Sequence, residues 1–356
     1  MLPLLDHLDE LTRRLAEWGQ PDFRRRQILS WLLQRRAEDF QRMTDLPAAL
    51  RERLAEHFAL FGSRVVAHQG DPGGHDRTEK LLLRLEDDER IECVLLRDEQ
   101  GHRTACISTQ VGCPVGCAFC ATGLDGLRRN LTRGEIVEQL LHLARLLPED
   151  ERLTHVVVMG MGEPLANLDA LLPALGIASD TEGLGIGVRR ITISTVGLPE
   201  GIRRLGELAS PYHLAVSLHA ADDRTRDRLV PINRHHNIAA VLAAADDYFQ
   251  RTGRRVTFEY VLLAGVNDRA EDARRLAALL AGRPALVNLI PLNPVEGLPF
   301  RAPSAEEVRR FAAQLERGGL NAQVRHRRGT KIDAACGQLR RREPPSDADD
   351  DAQRHP

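Results

Sequence analysis

Lysine is nearly missing from this chain: of its 49 basic residues only Lys80 and Lys331 are lysines, and the rest are arginines. Genome composition is the plain source of such a bias, and arginine-rich phosphate recognition is the functional one. Aromatic residues make up only 4 % of the 356, so no aromatic-rich platform for stacking bases is visible. No apolar run approaches the roughly 20 residues that a membrane span needs. The opening stretch MLPLLDHLDELTRRLAEW mixes acidic with apolar residues, which fits neither a signal peptide nor an anchor. The expected compartment is therefore the cytoplasm, where thiols stay reduced. Six cysteines in that setting do not make a disulfide framework, and clustered ones point to metal or catalysis. No G-x-G-x-x-G follows a strand-like run, which argues against a dinucleotide-binding sheet. The formal net charge of −2 does not mark a nucleic-acid binder, although the acidic tail EPPSDADDDAQRHP conceals a mildly basic body. That tail is expected to be disordered.

What the chain does contain changes texture along its length. Residues 1 to about 60 read as helices, because PDFRRRQILSWLLQ and LPAALRERLAEHFALF repeat apolar residues at three- and four-residue spacing. QGDPGGHD, residues 69–76, reads as a boundary turn. Residues 80–109 read as three short strands with turns at Asp87-Asp88 and near Gly101. Beyond Cys120, strand-like runs at 153–160, 189–197, 212–220, 255–265, 285–293 and 321–328 alternate with helical segments at 133–147, 167–179, 237–251, 269–281 and 304–317. Such alternation implies parallel βαβ units. With the strand running into Cys106–Gly112 the count suits a barrel or partial barrel, and a doubly wound open sheet is the alternative.

Four of the six cysteines fall in CISTQVGCPVGCAFCATG. Cys113, Cys117 and Cys120 have the spacing C-x3-C-x2-C. Three thiolates on one loop hold three irons of a [4Fe–4S] cube and leave the fourth iron open for a chelating ligand. Gly112, Gly116 and Gly123 let the loop wrap closely, and Phe119 supplies an apolar wall. A structural zinc ion would need a fourth ligand from a second knuckle, which is not nearby. With its aromatic before the last cysteine, this motif resembles the signature of the radical S-adenosylmethionine (SAM) superfamily. The resemblance implies a cluster whose open iron binds the amino and carboxylate groups of SAM, yielding a 5′-deoxyadenosyl radical.

In a parallel barrel, chemistry gathers at the C-terminal strand ends. Here those ends read VVVMGMGEPL with Glu163, ITISTVG with Ser194 and Thr195, LAVSLHA with Ser217 and His219, and LIPLNP with Asn293. Singly, each is an ordinary cap, turn or packed residue. Together with QVGCPVGCAFCATG, GMGEPLANLD and KIDAACGQL they resemble the RlmN/Cfr-type RNA methyltransferases, and FQRMTDLPAALRERL resembles that family's helical accessory domain. The resemblance covers the chain except its tail. It implies an α/β fold: a partial (β/α) TIM-type radical SAM barrel with a small N-terminal helical domain and a β extension. The expected division is a helical RNA-binding domain at 1–75, a β extension at 76–105, the barrel with its C-terminal catalytic loop at 106–342 and the tail at 343–356. Gly162, Glu163, Ser194, Ser217, Leu218, His219 and Asn293 would contact SAM, and Cys113, Cys117 and Cys120 would hold the cluster.

An adenine carbon between two nitrogens is electron-poor, so ordinary methyl transfer to it fails and a radical route is needed. The family scheme uses two SAM molecules per turnover. Cys336 takes a methyl from the first by displacement. The radical from the second removes a hydrogen from that methyl, and the methylene radical adds to the base. A base then removes the ring proton, and Cys106 attacks the Cys336 sulfur to form a disulfide and release the product. By analogy the base is Glu92 in RIECVLL, where burial would strengthen a carboxylate's basicity. A solvent-facing strand glutamate is the plainer reading of Glu92, as a buried structural thiol is of Cys336. Cys93 has no role in the scheme and reads as a core thiol.

The arginine runs GLRRNLTR and VRHRRGTK flank the cluster loop and Cys336 and are candidates for phosphate contact, although a charge run is ordinarily a solvated face. The implied substrates are an adenosine of 23S rRNA and an adenosine of tRNA anticodon loops, methylated at C2. Methylation at C8 of the same rRNA base, or a different radical SAM substrate, are the alternatives. An external electron donor such as flavodoxin, no membrane, and a monomer complete the expectation.

Overall fold

The computed structural model describes residues 1–70, 77–325, 329 and 332–339. Most of the QGDPGGHD turn, residues 326–328, 330 and 331 of the second arginine run, and the acidic tail lie outside these described residues.

Three helices open the chain: α1 (Leu8–Glu17), α2 (Phe23–Leu33) and α3 (Ala48–His57). Their apolar spacing works as read, since Leu8, Leu11 and Leu15 of α1, Ile28 and Leu32 of α2, and Leu50 and Leu54 of α3 are the buried positions. Two residue pairs, β1 (Leu2–Pro3) and β2 (Phe58–Ala59), run parallel and tie the ends of this unit together.

The remaining chain builds one ten-stranded sheet. Strands β3 (Arg64–Gly70), β4 (Glu79–Arg84), β5 (Arg90–Arg97) and β6 (Arg103–Cys106) form an antiparallel meander. Of these, β3 was not expected: it lies past the helical segment read to about residue 60, within the 1–75 span assigned to the helical domain. Its upper half is exposed and mixed in character, so it lacks the apolar alternation that marks a strand in sequence. The strand expected to run from Cys106 to Gly112 is also different. The chain leaves the sheet after Cys106, and β7 (Gln110–Gly112) pairs antiparallel with β8 (Leu127–Asn130) in a separate ribbon.

After helix α4 (Arg133–Ala144) the parallel part follows: β9 (His155–Val158), α5 (Leu168–Ser179), β10 (Ile191–Thr195), α6 (Pro199–Glu207), β11 (His213–Ser217), α7 (Asp223–Leu229), α8 (Ile238–Thr252), β12 (Val256–Leu262), α9 (Ala270–Leu280), β13 (Ala285–Pro291), α10 (Ala305–Arg317) and β14 (Asn321–Val324). Strand β6 joins it by pairing parallel with β9. Helices α6 and α7 were not read from sequence, α6 because it is short and carries two glycines, α7 because it has seven residues and hardly any apolar ones.

The sheet curls. Cys106, Val157, Thr192, Ala215, Glu259 and Asn288, from six different strands, line one cavity of about 470 Å³. A flat sheet cannot turn strands so distant in order onto a common space. The curl stays open among the described residues: β3 and β14 are the two edges of the sheet and do not pair with each other. The apolar core lies outside the curl, between sheet and helices, where Val156, Ile193, Leu214 and Phe258 face Leu171, Leu175, Ile202 and Tyr248. No helix among the described residues is long and apolar enough to cross a membrane.

Candidate active site

The β7–β8 ribbon carries the cysteine loop between its strands. Gly112 has φ +79°, and a Cβ there would strike the carbonyl oxygen of Gly126, so the loop can start its turn only at a glycine. The Cys113 amide donates to that same oxygen at 3.1 Å, and the Ala118 amide donates to the Leu229 carbonyl at 2.9 Å, which docks the loop on the end of α7. Cys113, Cys117 and Cys120 all line a second cavity of about 150 Å³. Burial pushes the Cys113 thiol up to about 12 and the Cys117 thiol well above its usual range. A positive centre would reverse that preference by drawing off the protons. Among the described residues no three His, Cys, Asp or Glu side chains converge tightly enough for a single metal ion. Three thiols of one loop lining one chamber suit a [4Fe–4S] cluster held through three of its irons.

The strand ends complete this chamber. Gly162, Glu163, Ser194, Ser217, His219 and Asn293 line it, as expected from the sequence. Leu218 does not: it is fully buried, with its amide donating to the Glu259 carbonyl at 3.0 Å. Glu163 is buried, and its carboxylate accepts from the amides of Leu165 at 3.0 Å and Val196 at 2.9 Å. Burial raises its pKa against those hydrogen bonds, so a cation beside it would be favoured. His219 adopts φ +59°, and its Nδ1 accepts from the Val261 amide at 3.1 Å. That bond leaves Nε2 as the donor of a neutral ring, consistent with a pKa lowered by burial to about 3. Phe119 packs edge-on against this ring, centroids 5.0 Å apart. Two buried oxygens of the walls, Asn293 Oδ1 and Glu259 Oε2, have no hydrogen-bond partner among the described residues, which fits a chamber built around a polar cofactor.

The two cavities meet at Cys336, which lines both. Cys106 lines the larger cavity only. Burial, reinforced by the charge of Cys336, pushes the Cys106 thiol up to about 12, and Arg325 opposes the shift. All six cysteines are free thiols, and Cys93 lies in the core as read. The turn holding Cys336 is tied down on several sides. The Gly337 carbonyl accepts from the Ala121 amide of the cysteine loop at 2.7 Å, and the Cys336 carbonyl accepts from Asn293 Nδ2 at 3.2 Å. Gln338 Nε2 donates to the Pro294 carbonyl at 2.8 Å, and Thr122 Oγ1 donates to the Leu339 carbonyl at 2.9 Å.

Glu92 lies on the same face of β5 as Val94 and Leu96, the latter a wall residue of the large cavity, and Val94 stands opposite Cys106. Glu92 itself lines neither cavity. It is not a solvent-facing glutamate: it is 2 % exposed, and its Oε1 pairs with Lys80 Nζ at 2.9 Å.

Four residues of the site were not picked out from the sequence. Glu259 and Arg325 face each other at 3.8 Å where the cavities join. Arg226 is fully buried and donates to the carbonyls of Leu218 at 3.0 Å and Ser217 at 3.3 Å, to the Val196 carbonyl and to Asn233 Oδ1 at 2.7 Å. The fourth, Lys80, carried a signal in being one of two lysines among 49 basic residues. The arginine runs, by contrast, are partly internal fittings. Arg129 pairs with Asp87 at 2.6 Å and Glu135 at 2.8 Å, Arg133 donates to the Leu5 carbonyl at 2.7 Å, and Arg325 faces the cavity.

Comparison with known proteins agrees with this geometry. Residues 107–277 match the Radical SAM superfamily, and residues 4–60 match the ribosomal RNA large subunit methyltransferase N-terminal domain. A probable dual-specificity RNA methyltransferase RlmN of Rhodopirellula baltica is 56 % identical over 94 % of this chain and 89 % of its own. Its namesake in Symbiobacterium thermophilum is 49 % identical over 94 % of this chain and 90 % of its own. The crystal structure of a radical SAM methyltransferase from Sphaerobacter thermophilus superposes with a TM-score of 0.92 at 46 % identity, covering 96 % of this chain and 100 % of that one. The cofactors of the superfamily are a [4Fe–4S] cluster and SAM, and the three-thiol chamber with its unbonded Asn293 Oδ1 suits both. Fold, chamber and relatives agree that this chain belongs to the RlmN family of radical SAM RNA methyltransferases.

Proposed function

We propose that the enzyme methylates C2 of an adenosine in RNA, in both 23S rRNA and tRNA, and that the methyl travels on Cys336. One observation supports the carrier role above all: Cys336 is the only cysteine among the described residues that lines both the cluster chamber and the large cavity holding Cys106. A sulfur there serves donor and acceptor without crossing the protein.

Bound in the chamber, the cluster and SAM supply a methyl group and a hydrogen-abstracting radical, two SAM molecules being used per turnover. Cys113, Cys117 and Cys120 hold the cluster. Glu163 accepts hydrogen bonds from the SAM ammonium, and Ser194, Ser217, His219 Nε2–H and Asn293 Oδ1 read its remaining polar groups. Gly162 keeps the wall thin, because a Cβ there would lie 2.6 Å from Gln110 Cβ. Leu218 acts from behind the wall through its backbone. Cys336 carries the methyl as a thioether. Once its carbon is joined to the base, Glu92 accepts the ring proton. The Cys106 thiolate then attacks the Cys336 sulfur; the bond from that sulfur to carbon breaks with its electron pair left on the carbon, which takes up a proton to become the methyl, the adduct's unpaired electron passes to a one-electron acceptor, and a Cys106–Cys336 disulfide remains.

Anaerobically reconstituted enzyme, given SAM with an isotopically labelled methyl and no RNA, should show the label on the Cys336 peptide by mass spectrometry, and Cys336→Ala should show none. Methylated-nucleoside analysis of treated rRNA and tRNA then separates C2 from C8. An unlabelled Cys336 in enzyme that still cleaves SAM would overturn the carrier reading.

A further inference from the structure

Lys80 is 6 % exposed in β4, a strand otherwise filled at its buried positions by leucine. It stands opposite Val94 of β5, and Glu92 stands opposite Leu82, so Lys80 and Glu92 are diagonal neighbours on one face of the ladder. Among the described residues the Nζ has two polar partners: Glu92 Oε1 at 2.9 Å and the Asp333 carbonyl at 3.3 Å. Asp333 belongs to the turn that carries Cys336 and adopts φ +49°, an uncommon conformation for a residue other than glycine. One ammonium therefore bridges the strand bearing Glu92 and the turn bearing the methyl carrier.

The chemistry of lysine suits this position. A compact ammonium directs three donors in different directions from a single nitrogen, whereas a guanidinium presents a planar fork. In a chain whose other basic residues are, but for Lys331, all arginine, a lysine stands where one nitrogen must satisfy two acceptors on separate elements.

We infer that Lys80 is a positioning residue for the RNA-methylating half of the reaction: it holds Glu92 on the face of β5 that it shares with Val94, the partner of Cys106, and ties that carboxylate to the Cys336 turn through Asp333. The inference rests on Glu92 being the proton acceptor. Lys80 has no part in charging Cys336 with its methyl, since neither of its polar partners among the described residues, Glu92 and Asp333, lines the cluster chamber.

Lys80→Met in the full-length reconstituted enzyme tests this. Expected are an unchanged cluster absorption spectrum and Cys336 labelling by isotopic SAM within about twofold of the parent, while the kcat of RNA methylation falls about 100-fold or more with KM for RNA unchanged. Against a Glu92→Gln background, Lys80→Met should add no further loss, because both substitutions remove one unit. That double variant removes both charges of the Lys80–Glu92 pair together, so it serves where Lys80→Met alone fails to fold. Losses that multiply, or Cys336 labelling that falls in step with RNA methylation, would overturn the inference. Full activity of Glu92→Gln alone would remove Glu92 as proton acceptor and this inference with it. An active Lys80→Met beside an inactive Glu92→Gln would remove only the inference.

Discussion

Buried charge in this protein is concentrated where loops must be held, and Arg226 shows how. Its guanidinium serves carbonyls of Val196, Ser217 and Leu218, so a single side chain knits the ends of β10 and β11 behind the chamber wall. Desolvation lowers its pKa to about 10, still high enough for it to stay charged at neutral pH. Arg226→Met would leave those carbonyls without their donor in a dry environment. The expected cost is about 3–5 kcal/mol of unfolding free energy, measurable by urea titration, with SAM affinity lost in parallel on calorimetry. Nothing in DDRTRDRL announces this role, because a charged run reads as a solvated helix and only packing shows which arginine turns inward. Glu259 and Arg325 were hidden for the same reason, one in an apolar strand and one in a basic run. Glu163, Ser194, Ser217, His219 and Asn293 were legible because each closes an apolar strand, and strand ends face a common point whenever the strands are parallel.

Among the elements, the β7–β8 ribbon has the most exacting geometry. Gly112→Ala forces a Cβ into the Gly126 carbonyl at a positive φ, so the ribbon must shift and carry Cys113 with it. Iron per chain after reconstitution should fall several-fold, while the far-ultraviolet circular dichroism of the helices and main sheet is retained. The ribbon itself was not foreseen. Its strands are three and four residues long, too short for alternation to register, and the pairing depends on a turn that the cysteines occupy. Strands β10 to β13 were legible because each is a run of five to seven residues rich in apolar side chains, the composition that packing in the middle of a covered sheet imposes. Strand β3 was missed on the opposite ground: at the sheet edge it buries little, so its composition carries no signal.

At the scale of the molecule, the helical unit is seated on α4. Asp6 accepts from Thr132 Oγ1 and the Gly134 amide, both at 2.7 Å, and Glu138 accepts from the amides of Gly62 and Ser63, both at 2.8 Å, and from the Ser63 hydroxyl. His142 Nε2 lies 3.1 Å from that hydroxyl. Burial raises Glu138 from 4.5 to about 7 and lowers His142 from 6.5 to about 4. The two act in opposite senses. Folded Glu138 keeps a proton that the unfolded chain releases, so its contribution to stability is lost as pH rises from 4.5 to about 7. Folded His142 refuses a proton that the unfolded chain binds, so its contribution is lost as pH falls from 6.5 to about 4. Together they nearly cancel. His142→Gln should expose the Glu138 slope, a decline of about 3 kcal/mol over that carboxylate's range at ~1.4 kcal/mol per pH unit, read from urea unfolding at a series of pH values.

A long polymer with its target in the middle has no free end to thread through a closed tube. The curled sheet avoids that topological problem, because among the described residues its edges β3 and β14 do not pair with each other. Across the gap lies the Cys336 turn, held by contacts from Lys80, Ala121, Thr122, Asn293 and Gln338 and not by a ladder of strand pairs. Such a fastening can be released and remade one bond at a time without disturbing the sheet's own register. The barrel is thus fastened at its opening by single contacts, and the piece they hold in place is the one that carries the Cys336 sulfur.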